Sequence, residues 1–166
     1  MSLRIASARD EIAEAISATQ EARTLAPQLD AELERVEERL ASVRHRLDDL
    51  AGSSSAKPSR IGSLYSWVAS ADASPWEASL TAVMTVQIHT GVARSALFGT
   101  EPGDDDADPE YDEPVPTLDG GDELSSAFEE IEASLDAARK RLRETPLREP
   151  GMTAAADVMV AGGRRR

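Results

Sequence analysis

Apolar side chains recur every seven positions for about fifty residues at the start of this chain. One row is Ile5, Ile12, Thr19, Ala26, Leu33, Leu40 and Leu47, with Thr19 its one polar member. A second row, three residues on, is Ala8, Ala15, Ala22, Leu29, Val36, Val43 and Leu50. Rows that repeat every 3.5 residues mark a coiled-coil helix whose stripe must be covered by another helix. The pattern predicts a long helix over 1–51, roughly 70 Å at about 1.5 Å per residue. Its halves differ. The first lines its stripe mainly with Ala, which buries little area, and the hydroxyl of Thr19 needs a partner if buried. The second carries Leu29, Leu33, Val36, Leu40, Val43, Leu47 and Leu50, each contributing about 1.5–3 kcal/mol when buried. Pro27 sits at a solvent-facing position, removes one backbone donor, and should kink or split the helix near Leu25 and Ala26.

The charges beside the stripe select its pairing. A parallel self-pair would set Glu32 against Glu37 and Arg39 against Arg44, like against like. An antiparallel pair can bring Glu32 near Arg46 and Asp30 near Arg44. An antiparallel partner is therefore expected, within the chain or in a second subunit.

Residues 52–60 are Ser-rich around Lys57-Pro58 and read as a linker. A helical region over 61–98 follows. Ile61, Leu64, Tyr65 and Val68 fit a short amphipathic helix. Ser74-Pro75-Trp76-Glu77 then combines an N-cap Ser, Pro at the first helical position and Glu at the third. Trp76, Leu80, Met84, Ile88 and Val92 continue at spacings of four. The alternation of Met84, Val86 and Ile88 with Thr85, Gln87 and His89 also fits a strand over 81–90; the cap favours a helix to about Leu97. Residues 99–122 are rich in Pro, Gly and Asp and are expected to be a disordered linker. Residues 123–145 form a second heptad run, Leu124, Phe128, Ile131, Leu135, Ala138 and Leu142. Acids lie early and bases late in it, as the helix dipole favours. Pro146 ends it, and 146–166 reads as a disordered tail. The expected fold is all-α: a long coiled-coil helix with two shorter helices in an antiparallel hairpin or bundle.

Composition sharpens this picture. Six aromatic residues in 166 are few for a compact enzyme core, and Ala, Leu, Glu and Arg suit long helices. The absence of Cys excludes disulfides and thiolate metal sites. The N-terminus begins directly in a charged amphipathic pattern with no apolar signal core. The least charged stretch, Ala78 to Ala93, is short for a membrane span and holds several polar residues. A cytoplasmic location is expected, with export by a signal-less specialised system as the alternative. The net charge of −13 is concentrated: residues 99–122 carry ten acids and no base. Such a chain is a poor match for nucleic acid, whose phosphates need a basic surface. The acidic segment is expected to act as a spacer or to steer a basic partner.

No motif announces chemistry. Asp104, Asp105, Asp106 and Asp108 resemble the start of a calcium loop, but Pro109 occupies the sharp-turn position and Val115 the closing acid position. Tyr111 could anchor that segment on a basic surface. His45 lies among Arg44, Arg46 and Asp48, away from the apolar rows, and reads as a surface residue. His89 lies in the least charged helix, facing either the bundle or solvent. A catalytic His needs an orienting acid and a nucleophile in space, and no spacing suggests them. There is no phosphate-binding loop, nucleophile elbow or His-Glu-x-x-His. Arg164, Arg165 and Arg166 read as a solvated end. No catalytic, metal or cofactor residues are assigned, and no cofactor is expected.

Trp67-Val68-Ala69 lies between two helical regions. Here the chain resembles the Trp-x-Gly helical-hairpin family of type VII secretion substrates, common in actinobacteria. Sixteen Arg against two Lys also point to a GC-rich genome of that kind. The resemblance covers Met1 to about Phe98 and implies export and pairing with a similar small helical protein. The chain departs from the family in carrying Ala69 for the turn Gly, a Ser-rich linker before it, and no Tyr followed four residues on by an acid: Tyr65 leads to Ala69 and Tyr111 to Val115. From the residues themselves, the expectation is a non-enzymatic module that binds another helical protein, or itself in antiparallel fashion, with no nucleic acid and no membrane. The candidate interaction residues are Leu29, Leu33, Val36, Leu40, Val43, Leu47 and Leu50, then Trp76, Leu80, Met84 and Ile88, then Leu124, Phe128, Ile131, Leu135 and Leu142. The Ala-rich first half of the long helix and the faces of the Trp76 and Phe128 helices are the expected binding surfaces.

Overall fold

The computed structural model describes residues 2–52, 74–99 and 114–144. Among them the chain is helical, with no strand: α1 (Leu3–Leu25), a 3₁₀ turn (Pro27–Leu29), α2 (Asp30–Ala51), α3 (Pro75–Phe98) and α4 (Gly121–Glu144). The stretch over 81–90 is thus helix.

The single long helix expected over 1–51 is two helices. Pro27 does more than kink the chain. Ala26 leaves the helix at φ −128° and ψ 71°, Pro27 opens the 3₁₀ turn, and the backbone reverses. Arg9 then lies 3.8 Å from Asp48, and the Gln20 amide donates to Glu37 at 2.9 Å, so α1 and α2 run antiparallel side by side. The apolar stripe covers itself within one chain. Arg23 fastens the hairpin near its turn, pairing with Asp30 at 2.7 Å and Glu37 at 2.6 Å. Asp30 therefore meets Arg23 rather than Arg44.

α3 begins as its cap predicts. The Ser74 hydroxyl accepts from the Glu77 N–H at 3.2 Å, and the Glu77 carboxylate accepts from the Ser74 N–H at 2.8 Å, around Pro75 at the first helical position. These hydrogen bonds hold the Glu77 carboxyl below its ordinary pKa. α3 runs antiparallel to α1: the Arg4 guanidinium reaches the Ala96 carbonyl, and the Ser79 hydroxyl lies 3.4 Å from the Leu25 carbonyl. α4 runs antiparallel to both α2 and α3. Arg46 meets Glu123, Arg39 meets Glu130 and Arg141 meets Glu32 across α2 and α4. Glu32 thus finds Arg141, not Arg46. Against α3, Arg94 pairs with Glu132 and Arg139 with Gln87.

The result is a four-helix bundle in which α1 and α4 point one way, α2 and α3 the other, and every neighbouring pair is antiparallel. Each helix is about 35 Å long at about 1.5 Å per residue. The core runs its full length, from Ile12 and Leu47 near one end to Leu29, Leu33 and Leu142 near the other. Phe98 and Phe128 meet edge to face with ring centroids 6.2 Å apart, a favoured aromatic geometry. The Trp76 indole N–H donates to the Leu142 carbonyl at 2.9 Å, satisfying an orphan acceptor in the last turn of α4.

The acidic linker expected over 99–122 ends earlier than its composition suggests. Within it, residues 114–120 are placed, with Leu118 packed on the core. Gly120 adopts φ +77°, a left-handed conformation that favours Gly; the Arg46 guanidinium lies over this position. α4 starts at Gly121, slightly before the predicted boundary.

Candidate functional site: a buried acid–imidazole pair and the outer face of α3

The predicted interaction residues divide into an interior set and an outer set. Leu29, Leu33, Val36, Leu40, Val43 and Leu47 are buried, as are Leu124, Phe128, Ile131, Leu135 and Leu142, and Leu50 packs on their margin. These side chains cover one another within the chain. The Phe128 face of α4 and the Ala-rich stripe of α1 are therefore core rather than free binding surface. Ala8, Ala15, Ala22 and Ala26 have no exposed area.

In α3 the pattern is inverted. Its buried face consists of Ser79, Ala82, Val83, Val86, His89, Thr90, Ala93, Ala96 and Leu97. The row of larger residues, Trp76 to Val92, does not form this buried face. Trp76, Leu80, Ile88 and Val92 are half-buried, and Met84 is 43% exposed. The reason lies in α1. A helix lined with Ala leaves no room for Leu or Met opposite it, but small side chains on both partners let the backbones approach closely. α1 and α3 share the most extensive close approach in the bundle.

Small hydroxyls in this tight layer bond to their own helices. Thr19 donates to the Ala15 carbonyl at 2.7 Å and Thr90 to the Val86 carbonyl at 2.7 Å, so Thr19 finds the partner its burial requires. Glu11 and His89 occupy the same layer. The carboxylate lies 2.6 Å from His89 Nδ1, and the two residues are 2% and 3% exposed. Nothing in the sequence joined them. They are 78 positions apart, and only the placement of Glu11 beside Ile12 hinted that it borders the core. The pair is an acid that orients an imidazole, as in many hydrolytic sites, but it is sealed between two helices. Each polar group satisfies the other in an apolar layer.

His45 is a surface residue, as its charged neighbours predicted, 3.8 Å from Asp49. Two shallow grooves follow the α2–α4 seam, one beside His45, Arg46, Asp49 and Glu123, the other beside Arg35, Glu38, Arg39 and Glu130. Both are lined by charges of mixed sign. Among the described residues no cluster of His, Asp and Glu is arranged to hold a metal ion, and no helix is long and apolar enough to cross a membrane. The linker 53–60, the amphipathic stretch Ile61 to Val68 with Trp67-Val68-Ala69, the Asp104–Asp108 run, Tyr111 and the Arg164–Arg166 end lie outside the described residues. Among the described residues the α1–α2 hairpin turns at Pro27.

α3 is the exceptional outer surface. α2 and α4 each carry seven acidic and four basic side chains, whereas α3 carries one of each, Glu77 and Arg94. Between them the outward side presents exposed Met84 with half-buried Thr81, Ile88, Gly91 and Val92, and Leu80 at its margin packs partly on the core. A side chain at Gly91 would meet nothing within 4 Å, which marks that side as open. Comparison of the chain with protein-family models, with curated proteins and with solved structures found no match.

Proposed function

We propose that this bundle is a non-enzymatic protein-binding module and that its docking surface is the outer face of α3. The observation that carries the reading is the uncharged row Leu80, Met84, Ile88 and Val92, with Met84 43% exposed, on a bundle whose other candidate seams are covered from within. A partner helix laid along this row would bury apolar side chains spaced as helix-in-groove recognition uses them. Met suits such a surface, since its flexible thioether adapts to a partner's shape. The sealing of the Glu11–His89 pair supports a binding role over a catalytic one, because a substrate could reach it only if α1 and α3 parted.

The test is site-specific photo-cross-linking in the cells that make the protein. A benzophenone side chain at Met84 should yield a discrete adduct with a protein, and the same group at Glu38 on α2 should not. Adding Ile88→Glu should abolish the adduct. No adduct at Met84, or equal adducts at both positions, would overturn the reading.

A further inference from the structure

We propose that the occupant of the α3 face is a second copy of this chain, its α3 antiparallel to the first about a two-fold axis at the level of Val86. The proposal rests on the docking reading above and names its partner.

Three observations select this occupant. The row is symmetric along the helix. Turning a second α3 end for end about residue 86 sets Leu80 against Val92 of the second copy and Met84 against Ile88 of the second copy, each contact made twice, as a self-complementary interface requires. The same register sets Thr81 against Gly91, the position where no atom stands within 4 Å of a would-be side chain, so the backbones can approach there.

Charge gives the second argument. Glu77 lies at the start of α3 and Arg94 near its end. Antiparallel pairing carries each Glu77 toward the Arg94–Glu132 pair at the far end of the second copy, away from the other Glu77. Parallel pairing would set Glu77 beside Glu77 and Arg94 beside Arg94. The third argument is exclusion. A chain of net charge −13 repels its copy, and α2 or α4 would bring seven acids from each side into the contact. α3, with Glu77 as its one acid, is the helix on which two such chains can meet with the fewest carboxylates in the contact.

The chain has no Cys, so introduced thiols report on geometry without background. Leu80→Cys and Val92→Cys chains, mixed and treated with a short thiol cross-linker, should form a covalent dimer. Either variant alone should not, because like positions would lie twelve residues apart along the axis, about 18 Å at about 1.5 Å per residue, beyond the span of a direct bond. In parallel, light scattering of the unmodified chain should give twice its 17.8 kDa mass, and Met84→Glu, at an exposed position, should return it to the single-chain mass. Cross-linking of each variant with itself, or a monomer with no mixed product, would overturn the self-pairing. In that case an adduct of benzophenone-labelled Met84 with a different protein would leave the docking reading standing, and the absence of both would end both.

Discussion

The pair α2/α4 and the pair α1/α3 are built by opposite rules. Across α2 and α4, Leu33, Val36, Leu40, Val43 and Leu47 meet Leu124, Phe128, Ile131, Leu135 and Leu142, and ion pairs line the rim at Arg39–Glu130, Arg46–Glu123 and Arg141–Glu32. On α1 and α3 the buried residues are mostly small, Ala8, Ala15, Ala22, Ala82, Ala93 and Ala96 with Ile12, Val83, Val86 and Leu97 among them, around a buried Glu11–His89 contact and hydroxyls turned back on their own helices. Large side chains stabilise by the area each removes from water, about 25 cal/mol per Å². Small ones remove less area apiece but bring backbones together, so many weak dispersion contacts accumulate. The first pair is sensitive to lost volume, the second to added volume and to any polar group left alone.

The largest effects should separate the two pairs by the sign of the volume change. Phe128→Ala should cost about 3–5 kcal/mol and Leu40→Ala about 2–5, through lost burial plus the cavity left behind. Both are read from the shift in urea midpoint at constant slope. If Phe128→Ala were nearly silent, the α2/α4 pair would not be the volume-filled half.

The Glu11–His89 contact allows a sharper test of the other pair. His89→Leu should cost about 3–5 kcal/mol, since it strands a carboxylate in an apolar layer. Glu11→Leu combined with His89→Leu should recover most of that loss, because replacing both partners of a buried pair with apolar groups is often neutral or stabilising. A double-mutant cycle by chemical denaturation measures the coupling. Additive losses would mean that the two groups do not depend on each other. Next in size, Ala93→Leu should cost about 1–3 kcal/mol by overpacking, where a Leu would be welcome in the α2/α4 layer. A stabilised Ala93→Leu variant would show slack between α1 and α3.

Much of this architecture is legible in the residues. The α3 cap is written in Ser74, Pro75 and Glu77, and the inward face of α4 in its alternating spacings of four and three. The reversal at Pro27 is not legible, because Ala22, Ala26, Leu29 and Leu33 keep that same rhythm through the turn. A stripe that folds back on itself needs the same phase on both arms as one that runs straight on. Pro27 signals an interruption but not its angle. The inward face of α3 is not legible either, for a different reason. Size and burial usually go together, yet the partner α1 is lined with Ala, so Ala82, Val86 and Ala93 turn inward and Met84 outward. That choice depends on a helix 60 to 80 positions away, and no local period contains it. The Glu11–His89 contact is hidden for the same reason. The consequence for the candidate site is direct: Met84 and Ile88 are left outside the core and Leu80 at its margin.

The smallest expected effect lies at the hinge that joins the two kinds of packing. Glu37 on α2 accepts from the Gln20 amide and the Arg23 guanidinium of α1, and these two contacts hold its carboxyl below the ordinary range. A carboxyl whose folded-state pKa is depressed adds stability that is fully present above its unfolded-state value and is lost as pH falls through the folded-state value. The melting-temperature advantage of the unmodified chain over Glu37→Gln should therefore be constant near neutral pH and shrink toward zero in acid. It should also weaken in high salt, because the contact lies near the surface and is screened. Arg23→Gln should behave in the same direction, since Arg23 also holds Asp30 across the turn at 2.7 Å. A Glu37→Gln difference that did not change with pH would assign the role of Glu37 to packing, and the turn at Pro27 would then be held by its buried Ala26 and Leu29 with the Arg23–Asp30 pair.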